Sequence, residues 1–213
     1  MIPMTNNDKG FTLVELLVAM AISLIVMASI GYLYYSQQKS YVAQEQISAM
    51  QQNLRAAMYY MEREIRMAGC DPTQNANSGI ITATANSINF TEDIDDDGII
   101  GANENITYSL YDSGGDGDTD LGRNTGGGNQ LLAENIDALD FVYLDSNGGP
   151  PATISDIRSV QVTIVARVGR PDPGYTNTNA YFNQQDPVNP ILAAQNDSFR
   201  RRRLTTTIKF RNL

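Results

Sequence analysis

Asp93, Asp95, Asp97 and Glu104 occupy positions one, three, five and twelve of the stretch Asp93-Ile94-Asp95-Asp96-Asp97-Gly98-Ile99-Ile100-Gly101-Ala102-Asn103-Glu104. Gly98 falls at position six, where a twelve-residue calcium loop turns sharply, and an aliphatic residue stands at position eight. Hard oxygen donors at alternate positions of a turning backbone can wrap one cation at about 2.3–2.6 Å. The spacing predicts Ca2+ held by the side chains of Asp93, Asp95, Asp97 and Glu104 and by the backbone carbonyl of Ile99. From Glu92 to Asp120 the chain carries ten acidic residues and no basic one, a segment that repels itself unless a cation is present. A solvated acidic turn is the competing reading. Asp112, Asp116, Asp118 and Asp120 offer a second cluster with weaker spacing.

The other residue that asks for a chemical partner is Glu15. It is the only charge between Phe11 and Tyr35, a run of 25 residues. A helix of that length reaches roughly 38 Å, enough to cross a hydrocarbon core of ~30 Å. An ionised carboxylate inside a bilayer costs on the order of 2.5–3.5 kcal/mol and calls for a named partner. Cleavage between Gly10 and Phe11 would make one, a cationic α-amino group at the embedded end of the helix. Two plainer readings compete: an uncleaved signal anchor, and a secretory signal cut after Ala19-Met20-Ala21. The second would leave a membrane-grade apolar tail on the mature protein.

The sequence Lys9-Gly10-Phe11-Thr12-Leu13-Val14-Glu15-Leu16 closely resembles the class III leader junction of type IV pilins and type II secretion pseudopilins. The resemblance implies that residues 1–10 are a prepilin leader, that a prepilin peptidase cuts after Gly10, and that the nitrogen of Phe11 is methylated. It also implies that Glu15 pairs with the Phe11 amine of a neighbouring subunit during assembly.

Composition narrows the alternatives. The formal net charge is −9 and the pI near 4.4, a poor match for nucleic acid or anionic lipid. There is no histidine and one cysteine, Cys70. Cys/His zinc sites, Cys–His and Ser–His–Asp catalysis and an internal disulfide are thereby excluded. No enzymatic role is expected. Cys70 itself reads as a small buried hydrophobe, with intermolecular pairing as the alternative.

The elements that carry these residues follow from periodicity. Ile47, Met50, Leu54, Ala57, Met58, Met61, Ile65 and Ala68 recur at spacings of three and four, an amphipathic stripe. No proline falls between Pro3 and Pro72, so one helix over 11–68 is expected, roughly 87 Å long, ended by Gly69. Its first part, 11–35, is apolar on every face; its second buries one stripe and needs a sheet to cover it. From Ile80 onward the period drops to two, with strands at 80–84, 87–91, 106–111, 139–143, 160–166 and 204–211. The expected fold is α+β: a long N-terminal helix, half membrane and half amphipathic, packed on an antiparallel sheet. Residues 112–129 and 169–198 read as long surface loops, and Arg200–Arg203 as a solvated strand edge rather than an anion site.

Beyond the leader, the order of elements resembles the PilW family of minor pilins, related to the J-type pseudopilins of type II secretion. The pieces that carry it are Glu64-Ile65-Arg66-Met67-Ala68-Gly69, Leu132-Ala133-Glu134-Asn135-Ile136 leading into Phe141-Val142-Tyr143-Leu144-Asp145, and Ile208-Lys209-Phe210-Arg211-Asn212-Leu213. This implies a type IV pilin-like fold and a minor pilin that initiates the pilus or caps its tip. The implied partners are the major pilin, other minor pilins, the prepilin peptidase, the inner membrane and a tip adhesin, with residues 36–213 in the periplasm. A type II secretion pseudopilin and an anchored calcium-binding periplasmic domain stay open as alternatives.

Overall fold

A computed structural model describes residues 10–213; residues 1–9 of the expected leader lie outside the described part. The chain divides into two units between Glu45 and Gln46, along one continuous helix, α1, Leu13–Ile65. In the first unit every described residue up to Ala43 except Ala43 itself is exposed, including the whole apolar run. That surface is apolar on all sides, so it is suited to lipid or to other helices and not to water.

The second unit begins where the amphipathic stripe begins. Met50, Leu54, Ala57, Met58, Met61 and Ile65 are buried as the three-and-four spacing predicts, and Ile47 packs partly against them. The helix ends at Ile65, three residues earlier than expected, because its last turn tightens. The N–H of Met67 donates to the Glu64 carbonyl at 2.9 Å and that of Ala68 to Ile65 at 3.2 Å. Gly69 then takes φ +78°, and its N–H leaves the helix to donate to the Thr91 carbonyl at 2.9 Å.

Two antiparallel sheets take the place of the single sheet expected. The first has five strands in sequential order: β1 Ile80–Ala83, β2 Ser87–Thr91, β3 Asn105–Tyr111, β4 Asp120–Asn124 and β5 Asn129–Ala133. The second has three: β6 Ile136–Leu144, β7 Ser159–Arg167 and β8 Arg201–Lys209. Strand β4 falls inside the stretch read as a loop. Its sequence, Asp-Leu-Gly-Arg-Asn, has little strand propensity, and pairing with β3 on one side and β5 on the other makes it a strand. Inward-facing Ile88, Phe90, Ile106, Tyr108 and Leu121 of the first sheet join Phe141, Val160, Val162, Ile164 and Ile208 of the second in one core with the helix stripe.

Strand β7 is buried on both faces, Gln161 and Thr163 included. Residues 169–198, expected as a surface connection, cover its second face. Gln161 and Gln184 exchange hydrogen bonds at 2.9 and 3.2 Å, and Asn183 donates to Asp140 at 2.8 Å. The arginine run holds this cover in place. Arg201, whose side chain is 3% exposed, pairs with Asp197 and Asp137, and Arg200 pairs with Asp172 and lies over the Tyr175 ring. The reading as a solvated edge therefore applies to Arg202 and Arg203, which are exposed, and not to Arg200 and Arg201. Burial of the guanidinium between two carboxylates is the reason: each charge there has a partner.

Candidate functional site

The N-terminal site is built by the first turn of α1. Thr12 is the cap: its backbone N–H and its hydroxyl both donate to Glu15 Oε2 at 2.8 Å, and the Glu15 N–H donates back to Thr12 Oγ1 at 3.2 Å. This reciprocal pattern is a capping box. It satisfies two donors that a helix start would otherwise leave orphaned, and it draws the carboxylate toward the backbone next to Phe11. Ser/Thr-x-x-Glu directly before an apolar run is a sequence-level signature of a helix start, so the Thr12 cap is legible in the sequence beside the intermolecular pairing expected of Glu15. Gly10 and Phe11 precede the helix and are exposed, Phe11 at 91%. An exposed junction ahead of the first helical turn, outside regular structure, is open to a protease.

Residues 5–31 match the prokaryotic N-terminal methylation motif. The match spans the Gly10–Phe11 junction, Glu15 and the first part of the apolar run. The chain thus carries a prepilin-type N-terminus, followed by a helix long and apolar enough to cross a membrane and then by a folded C-terminal unit. No curated protein matches it. Among solved structures, a type IV-like pilin from Thermus thermophilus is similar over 76% of this chain and 96% of its own length, at 16% identity and a TM-score of 0.45.

The acidic loop joins β2 to β3, so the expected β-hairpin setting is observed. Asp93, Asp95 and Asp97 are brought together, each offering an oxygen within 4.8 Å of the others. The loop turns through Asp96 at φ +60° and Gly98 at φ +80°. Asp93 Oδ2 accepts from the Gly98 N–H at 3.1 Å, Asp95 Oδ1 from Asp97 at 3.3 Å, and Asp97 Oδ1 from Ile99 at 2.8 Å. Burial and the neighbouring Asp97 charge push the Asp95 carboxyl above its ordinary range. Ile99 is exposed at the loop tip.

Glu104 is buried, and its two oxygens face the loop backbone. Oε1 accepts from Ile94 at 2.7 Å and from Asp95 at 3.4 Å, and Oε2 from Gly101 at 2.6 Å. Those bonds hold its carboxyl below the usual range. Glu104 therefore braces both limbs of the loop from within.

The carboxylates at 112–120 disperse instead. Asp112 accepts from the Gly115 and Gly117 N–H groups, Asp118 pairs with Arg167, and Asp120 accepts from Ser113 and Asn135. Among the described residues, the grouping that could hold a metal is Asp93, Asp95 and Asp97. Cys70, expected in the core, is half-buried; desolvation and then the nearby Glu92 push its thiol up.

Proposed function

We propose that this protein is a minor pilin of a type IV pilus that helps to initiate assembly or caps the tip, a structural and not an enzymatic role. The observation that carries it is the N-terminal methylation motif opening a helix that is apolar on all sides, joined to a folded unit with its own core. A helix of that surface leaves lipid only by packing against others like it. A polymer of processed subunits is the natural destination. The likeness of 64–69, 132–145 and 208–213 to PilW minor pilins supports the finer reading. On this reading the C-terminal unit faces the periplasm before assembly and lies on the pilus fibre afterwards. The partners are the major pilin, other minor pilins, the prepilin peptidase and an adhesin at the tip.

The test is deletion of the gene, with pili counted by electron microscopy and the wild-type protein quantified in sheared filaments. The minor-pilin reading expects far fewer pili in the deletion strain and a few copies of the protein per wild-type filament. Normal piliation together with lost type II secretion would transfer the protein to a secretion pseudopilus.

A further inference from the structure

We infer that Asp93, Asp95 and Asp97 form the seat of one calcium ion, and that its binding stiffens the chain just after α1 together with the loop itself. The seat rests on two independent observations. Three carboxylate oxygens lie within 4.8 Å of one another. In addition, Asp93 is 1% exposed and its Oδ1 is a buried atom with no hydrogen-bond partner. A carboxylate oxygen out of water and without a donor is costly, and mutual repulsion from two further carboxylates adds to the cost. One divalent cation among the three removes both penalties.

The all-carboxylate oxygen donor set suits calcium. Bonds of about 2.3–2.6 Å place ligand oxygens up to roughly 4.6–5.2 Å apart across the shell, which encloses the observed grouping. Magnesium needs bonds of about 2.0–2.1 Å in a strict octahedron and gives up its waters reluctantly. Of the three ligands only Asp93 is buried; Asp95 and Asp97 are exposed, so the shell is open on one side for water to complete it.

The reach of the site comes from what the loop touches. The Asp93 N–H donates to the Cys70 carbonyl at 2.8 Å. A Cβ built on Gly98 would lie 3.1 Å from Thr73 Oγ1 and 3.3 Å from Asn75 Cβ, so the turn packs closely against Thr73 and Asn75 of the 71–77 segment. Within that segment Asp71 accepts from Thr73, Asn75 and Asn77. A cation that fixes Asp93 therefore fixes the connection between α1 and β1 as well.

The experiment uses the full chain in detergent micelles, titrated with calcium chloride by calorimetry and followed by hydrogen exchange in calcium and in chelator. The expected result is one site with a Kd of about 1 mM or tighter, as for extracellular calcium modules, with magnesium at least about tenfold weaker. Saturating calcium should raise the melting temperature by about 5 °C and slow exchange in both 93–104 and 71–77. Asp95→Asn combined with Asp97→Asn should abolish the calcium response yet melt in chelator no lower than wild type, since repulsion is relieved. Asp96→Asn, next to the seat but outside it, should keep the response. No binding heat at millimolar calcium, equal exchange in calcium and chelator, or equal affinity for magnesium would overturn the assignment. None of these readouts depends on filament assembly.

Discussion

The Nε of Arg123 on β4 donates to both carboxylate oxygens of Glu64 near the end of α1, at 3.2 and 2.9 Å. Glu64 is 7% exposed and also accepts from the hydroxyl of the fully buried Tyr108. A charge on the buried stripe of an amphipathic helix is tolerated only with such partners. The pair ties the helix to β4, and the Tyr108 hydroxyl ties it to the central strand β3. Arg123→Ala should cost about 3–5 kcal/mol in chemical denaturation, because Glu64 is left buried and uncompensated. Tyr108→Phe should cost about 1–2 kcal/mol. Glu64→Gln added to Arg123→Ala should recover much of the loss, and failure to recover would show that Arg123 acts by packing alone.

The capping box separates two roles for Glu15. Glu15→Gln can keep the reciprocal hydrogen bonds with Thr12 while removing the charge; Glu15→Val removes both. If Glu15 pairs with the Phe11 amine of a neighbour, both variants should be inserted in the membrane yet fail to enter filaments. If the cap alone matters, only Glu15→Val should fail. Filament incorporation measured by mass spectrometry of sheared pili decides between them.

Processing provides the next expectation. The mature protein should begin at Phe11 and carry one extra methyl group on its nitrogen, read as an intact mass. A bulky residue at position 10 should block cleavage. An intact Met1 on protein extracted from membranes, or a start at Ile22, would remove the prepilin reading.

Arg201 predicts an acid-sensitive contact. Hydrogen bonds from its guanidinium at 2.6 and 2.7 Å hold the Asp197 carboxyl below the usual range. A lowered folded-state pKa means that the stabilisation is present above the unfolded value, about 3.9, and is lost as pH falls through the folded one. Asp197→Asn should therefore cost about 1–2 kcal/mol at pH 7, and the gap to wild type should close below about pH 4. Asp137 behaves in the opposite sense, since burial raises its carboxyl despite Arg201. Its contribution weakens as pH rises through the carboxylate range, so Asp137→Asn should cost less at pH 7 than Asp197→Asn. A gap at Asp197 that does not change with pH would show that the pair is not what stabilises the cover.

Gly69 closes the helix and lies against Leu213. At φ +78° a side chain is strained, and a Cβ there would stand 2.5 Å from Leu213 Cδ2. Gly69→Ala should lower stability by about 1–2 kcal/mol from the backbone alone, and more from the contact. Adding Leu213→Ala should relieve the second part and leave the first. Full rescue would mean that the backbone conformation costs nothing.

The sequence by itself determined the parts whose signal is local. Apolar residues on every face from Phe11 to Tyr35, then a stripe from Ile47 to Ala68, dictate a helix that changes surroundings along its length, because a 3.6-residue period admits one buried face. Alternation from Val160 to Ala166 dictates a strand, and the Asp93–Gly98 spacing dictates a turn lined with oxygens. The tertiary structure decided what depends on neighbours distant in sequence. Strand β4 exists because β3 and β5 flank it, not because Asp-Leu-Gly-Arg-Asn prefers to be extended. Gln161 is buried because Gln184 of the 169–198 segment lies against it, and Arg201 is a buried anchor because Asp137, 64 residues away in sequence, arrives beside the local partner Asp197. Glu104, at the twelfth position of the loop, turns its oxygens to the Ile94, Asp95 and Gly101 N–H groups, which are near it only once the hairpin has closed. A periodicity records which face of an element is buried. It does not record which charge or donor will meet that face, since pairings such as Glu64–Arg123 and Asp137–Arg201 join residues 59 and 64 positions apart and are settled by the cost of leaving either one unpaired.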